Sequence, residues 1–210
     1  MAFKKAVTLN EWVRFDHALK SQVSISRTLR IFSDAAGSPP PWIPSSSSGY
    51  YGMGGISWEM KLAWQMPKKV YNQWLANAND TQSNPNSINS EELTAQLISL
   101  WLIKKFRTNM LYKAILYSHV DNSGVDVWID KSNAKHAFQS KLLCLRSFIE
   151  MTFKCKIIPV WIPSKEMVIS RADALSRFKF RQMLGIKVIK INRTMFRQFT
   201  ADVELAYSRM

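Results

Sequence analysis

Short apolar runs closed by turn formers alternate along this chain with longer stretches of helical spacing, and the alternation sets the expected elements. From Thr28 the chain turns strand-like: Leu29, Ile31 and Phe32 lead to Asp34, and SPPPWIPSSSSG then breaks the run with prolines, serines and glycine. A strand and a long loop are predicted there. A second run, GYYGMGGISWEM, sets Gly52, Gly54 and Gly55 among aromatics, with KLAWQMP as its neighbour; together they predict an antiparallel hairpin or meander. Glycine inside a strand marks a bulge or a place where another backbone comes close. A simple bulge weighs at least as much here as a nucleic-acid contact.

Residues 76–90 are polar and turn-forming, and EELTAQLISLWLIKKF follows with Leu93, Leu97, Leu100 and Trp101 at helical spacing, which predicts the main helix, with Asn89 or Ser90 as its cap. YKAILYSHV is a short apolar run and reads as a buried strand ending at Asp121. A short helix over 122–130 and a longer one over 134–153 follow, the latter with Ala137, Leu142, Leu145, Phe148 and Ile149 facing inward. CKIIPVWIP is the last expected strand, and a loop with Ser164, Lys165 and Glu166 leads to a helix starting near Ala172. Together with a short helix over 9–19, for which Asn10 is the candidate cap, residues 1–27 read as a connector. The order β-β-β-α-β-α-α-β-α over 28–178 describes an α/β domain, and 179–210 a basic, apolar C-terminal extension to which no role is assigned.

Charge narrows the partner. Lys and Arg outnumber Asp and Glu by 29 to 15, a net charge of +14, which favours a polyanion or an anionic membrane surface, with nucleic acid preferred. No membrane partner is expected, because the longest apolar stretch, 97–103, falls well short of the roughly 20 residues that span a bilayer. The N-terminus lacks the apolar core of a secretory signal. Cys144 and Cys155 are too few for a disulfide framework and match no metal-binding spacing; they suit reduced, structural thiols in an intracellular protein of cytoplasm or nucleus.

Four carboxylates carry the candidate chemistry. Asp34 and Asp121 each end a predicted strand, Glu92 lies in the first turn of the main helix, and Asp173 opens the last helix. Taken singly, Asp34 and Asp121 suit strand-end turns and Asp173 a helix cap. Taken together they suit one cluster at the carboxyl edge of a sheet, whose mutual repulsion either raises their pKa values or is neutralised by cations. Oxygen ligands without His or Cys select Mg²⁺, with Mn²⁺ the alternative. Two such ions about 4 Å apart can clamp a phosphodiester for hydrolysis.

IFSDAAG, INSEELTA, HVDNSGV and WIPSKEMVISRADALSR resemble the successive motifs of the ribonuclease H domain of retrotransposon reverse transcriptases, of DIRS-like or long-terminal-repeat type. The resemblance covers about 27–177. It implies a ribonuclease H-like fold, a mixed five-stranded sheet with helices on both faces, which cuts the RNA strand of an RNA/DNA hybrid with two Mg²⁺ ions. It also implies roles: Asp34 bridging both metals, Glu92 and Asp121 on the leaving-group side, Asp173 on the nucleophile side. Glu91 is a rival for Glu92, but the Glu-Leu-x-Ala pattern matches at Glu92. Two features depart from the family: Pro163, Ser164 and Lys165 stand where many relatives carry a loop histidine, and MVISRAD makes the approach to Asp173 about two residues longer. No polymerase signature is present, so a reverse transcriptase polymerase domain, in cis or in trans, is the expected partner besides the hybrid.

A hybrid displays 2′-hydroxyls on one strand only, and Ala35, Gly37, Asn122 and Ser123, which follow two of the carboxylates, are the candidates to meet them; helix capping is an equal reading for Asn122 and Ser123. Lys131, Lys135, Lys141 and Arg146, and then Lys165, Arg171, Arg177, Lys179 and Arg181, are candidate phosphate contacts. Trp58, Trp64, Trp101 and Trp161 are read as core. His119 and His136 are read as structural rather than as bases. Beside the active hybrid nuclease stand two alternatives, a catalytically weak or inactive nucleic-acid-binding module of the same fold and a DNA-directed nuclease or integrase.

Overall fold

The computed structural model describes residues 27–36, 51–77, 88–131, 137–178 and 185–209. Its centre is a six-stranded mixed sheet in the order β5-β4-β1-β2-β3-β6. Strands β1 (Arg27–Ala35), β2 (Gly52–Ser57) and β3 (Leu62–Pro67) form an antiparallel meander. β4 (Ala114–Val120) and β5 (Lys156–Trp161) add in parallel on the β1 side, and β6 (Val188–Lys190) adds in parallel beyond β3. The architecture is the α/β one expected from the sequence, a mixed sheet with helices on both faces, with six strands rather than five. The extra strand comes from VIK, three residues too short to show a period.

Helices cover both faces. The central helix, called α2 here, runs Ile88–Phe106 and follows α1 (Lys68–Asn77). α2 is buried continuously from Ser90 to Ile103, although its sequence predicts only one apolar face. One side lies on β1 and β2, and the other is covered by α5 (Ala137–Phe153) and by α8 (Arg193–Ser208). A short helix, α3 (Thr108–Leu111), links α2 to β4, and α4 (Ser123–Lys131) follows β4. The opposite face of the sheet carries α6 (Ser164–Ser170) and α7 (Ala172–Ser176) over Ile56, Ala63 and Ile162.

Residues 185–209 complete this core. Phe196 and Phe199 of α8 stack on one another with centroids 5.6 Å apart, and Trp74 of α1 meets Phe196 edge-on. Trp101 of α2 donates its indole N–H to Asp202 at 3.0 Å. Such aromatic contacts add to the large area that each ring buries. α1 was not predicted, yet Val70, Tyr71, Trp74 and Leu75 carry helical spacing and pack on the same core; the preceding apolar run hides the change of period.

Other expectations shift in detail. α2 begins at Ile88, so Asn89 and Ser90 lie inside its first turn rather than capping it, and Glu92 falls just beyond that turn. Ala137 is exposed, whereas Leu142, Leu145 and Ile149 of α5 are buried and Phe148 packs on the core. The expected loop at Ser164, Lys165 and Glu166 is the start of α6. Pro159 is accommodated because β5 is an edge strand. Trp64 and Trp101 are core and Trp58 packs against it, but Trp161 is 51% exposed. The helix expected over 9–19, Asn10 and Gly37 lie outside the described residues, as do His136, Lys135, Lys179 and Arg181.

Candidate metal centre

Parallel pairing brings the first two carboxylates together. The β1–β4 register sets Phe32 beside His119; two residues further on, Asp34 and Asp121 stand at adjacent strand ends, where open sheets hold ligands. Glu92 reaches the same point from α2 and accepts a hydrogen bond from the Ala35 backbone N–H at 3.1 Å. One carboxylate oxygen from each of Asp34, Glu92 and Asp121 lies within 4.8 Å of the others. They open into a cavity of about 370 Å³ that Ala35, Asn122, Ser164, Asp173 and Arg177 also line.

Burial governs the electrostatics. Asp34 is pushed up to about 6, first by desolvation and then by Asp121 and Asp173, against a lowering hydrogen bond from the Ser176 hydroxyl. Glu92 is raised well above the usual carboxylate range by burial, then by Asp34 and Asp121. Its Oε2 is buried and has no hydrogen-bond partner among the described residues. An all-oxygen set with an unpartnered buried oxygen fits a hard divalent cation such as Mg²⁺ or Mn²⁺, which would supply the missing positive charge.

Glu91, the rival ligand, points elsewhere. It forms a 2.9 Å ion pair with Lys68, both side chains largely buried, and is separate from the three-carboxylate group. Its pKa is raised by burial and lowered by Lys68.

Asp173 lines the cavity but lies outside the close group of three. Its Oδ1 accepts a 2.6 Å hydrogen bond from Arg177 Nε. The longer approach to it is taken up by α6, which ends at Arg171 in the left-handed conformation, φ 77°. That turn starts α7 with Asp173 at its second residue.

The substrate-contact candidates separate. Ala35 and Asn122 line the cavity; Ser123 and Lys165 are exposed and do not. Asn122 caps α4, accepting from the N–H groups of Gly124 and Val125 at 3.0 and 3.3 Å, and donates to Asn89 Oδ1 at 2.7 Å. Arg146, expected as a phosphate contact, is instead buried, giving hydrogen bonds to the Ile129 and Ile157 carbonyls. Lys141 pairs with Glu204 at 3.0 Å. The His119 ring stacks on Phe32 and its Nδ1 pairs with the Ile31 carbonyl at 3.1 Å, a structural setting.

Sequence reading did not find Ser176 as the partner of Asp34 or Trp161 as the donor to the Asp121 carbonyl at 3.1 Å. Neither has a local signal: each partner is remote in sequence. No helix among the described residues is long and apolar enough to cross a membrane. No protein-family model and no curated protein matches the chain. Among solved structures it is similar to LC11-RNase H1, isolated from compost by a metagenomic approach, with a TM-score of 0.42 and 12% identity over 72% of this chain and 95% of that one. At that identity and score the likeness carries no residue roles to this chain.

Proposed function

We propose that this chain is a metal-dependent phosphodiester hydrolase that cuts the RNA strand of RNA/DNA hybrids. The observation that carries the reading is the convergence of Asp34, Glu92 and Asp121 oxygens within 4.8 Å at the end of two parallel strands. Asp34, whose charge acts on Glu92, Asp121 and Asp173 alike, is the candidate ligand common to two ions; Glu92 and Asp121 would hold the one nearer the leaving group, and Asp173 would complete the other site. When bound, the ions supply a nucleophilic hydroxide at neutral pH and stabilise the departing oxygen. The protein's part is to hold the carboxylates and to admit a backbone phosphate to the cavity beside Ala35 and Asn122.

The net charge of +14 suits a polyanionic substrate. The motif resemblance supports the hybrid as that substrate and a retroelement setting, in which a reverse transcriptase polymerase domain works in cis or in trans. A second reading, a weak or inactive hybrid-binding module, draws on Asp173, whose carboxylate is held by Arg177 rather than by the group of three.

A labelled RNA/DNA hybrid, double-stranded RNA and duplex DNA, each with Mg²⁺ or EDTA, separate these readings. Cleavage of the hybrid's RNA strand alone, requiring Mg²⁺ and lost in Asp34→Asn, is expected. Binding without cleavage supports the inactive module, cleavage of duplex DNA a DNA-directed nuclease, and activity surviving Asp34→Asn overturns the proposed centre.

A further inference from the structure

Among the described residues that line the carboxylate cavity, Arg177 is the one that is cationic. Only its Nε is engaged there, by Asp173 at 2.6 Å. A guanidinium carries five N–H donors, and the remaining four have no hydrogen-bond partner among the described residues. The side chain lines the cavity into which the carboxylates open, so a phosphodiester entering that cavity comes within its reach. Planar, divided donors of this kind suit two oxygens of one phosphate.

The same contact holds Asp173 aside. Its charge acts on Asp34 across the cavity, but its carboxylate does not join the close group of Asp34, Glu92 and Asp121. Arg177 is favoured where it stands by all three aspartates of the cavity, Asp173 first, then Asp34 and Asp121. The guanidinium therefore supplies the counter-charge that a second cation would otherwise bring, and a cation placed beside it meets its repulsion. The pair spans one helical turn, with a third of the Arg177 side chain exposed. A surface i,i+4 pair contributes little; this one is more enclosed, with Asp173 17% exposed, yet solvent still reaches the guanidinium, so an incoming phosphate can compete for it.

We propose that Arg177 is a positioning residue that holds Asp173 out of the metal centre in the free protein and yields it to a second cation when a nucleic-acid phosphate takes the guanidinium. The proposal rests on the metal-centre reading and adds an order of assembly to it. One ion, held by Asp34, Glu92 and Asp121, binds first; phosphate and second ion then bind together, each relieving the charge that opposes the other. Such mutual dependence is a coupling between two ligands and works equally in both directions.

The test counts ions rather than turnover. Mn²⁺ is titrated into the full chain and followed by electron paramagnetic resonance at low temperature, with and without an RNA/DNA hybrid whose integrity is checked on a denaturing gel at each point. Wild type is expected to bind one ion alone and two with hybrid. Arg177→Ala should tighten the second ion on the free protein by roughly tenfold, within the usual range of such couplings, and Arg177→Lys should restore much of the wild-type order. Asp173→Asn should bind one ion even with hybrid, which keeps the proposal open to refutation should the Arg177 variants fold poorly. Two ions of similar affinity on free wild type, or an unchanged count in folded Arg177→Ala, overturns the role of Arg177 and leaves the metal centre standing. No ion on wild type under either condition overturns both.

Discussion

Gly54 of β2 lies directly against the backbone of Ser176 in α7: a Cβ at position 54 would stand 2.6 Å from Ser176 N and 2.6 Å from Leu175 Cβ. Gly54 is also the cross-strand partner of Asp34. The absence of a side chain at one strand position thus lets α7 settle on the sheet beside Asp34, with Ser176 donating to its Oδ2 and Asp173 on the preceding turn.

Gly54→Ala should therefore damage the site more than its single methyl suggests. The opposing atoms include backbone that cannot rotate away, so α7 must move; overpacking of this sort costs about 1–3 kcal/mol. The expected result is a folded protein with a lower melting temperature and strongly reduced hybrid cleavage. A crystal structure of the variant would show α7 displaced from β2, and an unchanged α7 would contradict the argument.

Ser176→Ala tests the other end of the contact. The hydroxyl donates to Asp34 and favours its charged form. Without it the Asp34 pKa should rise further above about 6, and the pH at which Mg²⁺ binding is half-developed should move upward with it. Calorimetric Mg²⁺ titrations at several pH values read this directly; Ser176→Thr, which keeps a hydroxyl, should shift the profile less.

Asp34 and Asp121 were legible in the sequence because each closes a short apolar run, and a strand end is a local feature that a period reveals. Glu92 was separable from Glu91 only through the resemblance, since both are buried and adjacent; the structure distinguishes them by Lys68, which lies on α1, an element the apolar run before it concealed. Gly54 was recognised as unusual, but whether a bulge, a ligand or a backbone faced it depends on α7, 121 residues away at Leu175. Arg146 shows the opposite failure: a charge in a basic sequence reads as surface until its carbonyl partners on α4 and β5 are known. Patterns of one element were readable, whereas contacts between remote elements were not.

Lys68 and Glu91 yield a stability prediction independent of catalysis. The pair is largely buried, with side-chain exposures of 15% and 4%; Lys68 meets Glu91 Oε1, and the buried Oε2 has no hydrogen-bond partner among the described residues. Removing one partner of a buried pair leaves an uncompensated charge and costs about 3–5 kcal/mol, so Lys68→Met should lower the melting temperature substantially. Glu91 already has a raised pKa in the fold, and loss of Lys68 raises it further. Its folded pKa then exceeds its unfolded one by a wider margin than in wild type, so the variant is best off in acid and loses more stability as pH rises. Lys68→Met combined with Glu91→Gln should recover part of the loss and flatten the pH dependence in thermal melts; additive losses would deny that the two residues act as a pair.

The metal centre should impose its own pH dependence, which Mg²⁺ opposes. Asp34 rises from 3.8 to about 6 on folding, chiefly by burial, and Glu92 moves in the same direction. Folded carboxyls with raised pKa values stabilise the metal-free fold below their unfolded values, and this contribution is lost as pH rises through about 6. Mg²⁺ binds the charged carboxylates and must displace their protons, so its affinity grows over the same interval. Melting temperatures measured from acid to neutral pH should thus fall in EDTA over this window and fall less, or rise, in saturating Mg²⁺. The gap between the curves measures binding to the folded state. Asp34→Asn removes one of the titrating groups and a central ligand together, and should both flatten the EDTA curve and close the gap; a gap of wild-type size in that variant would place the cation elsewhere.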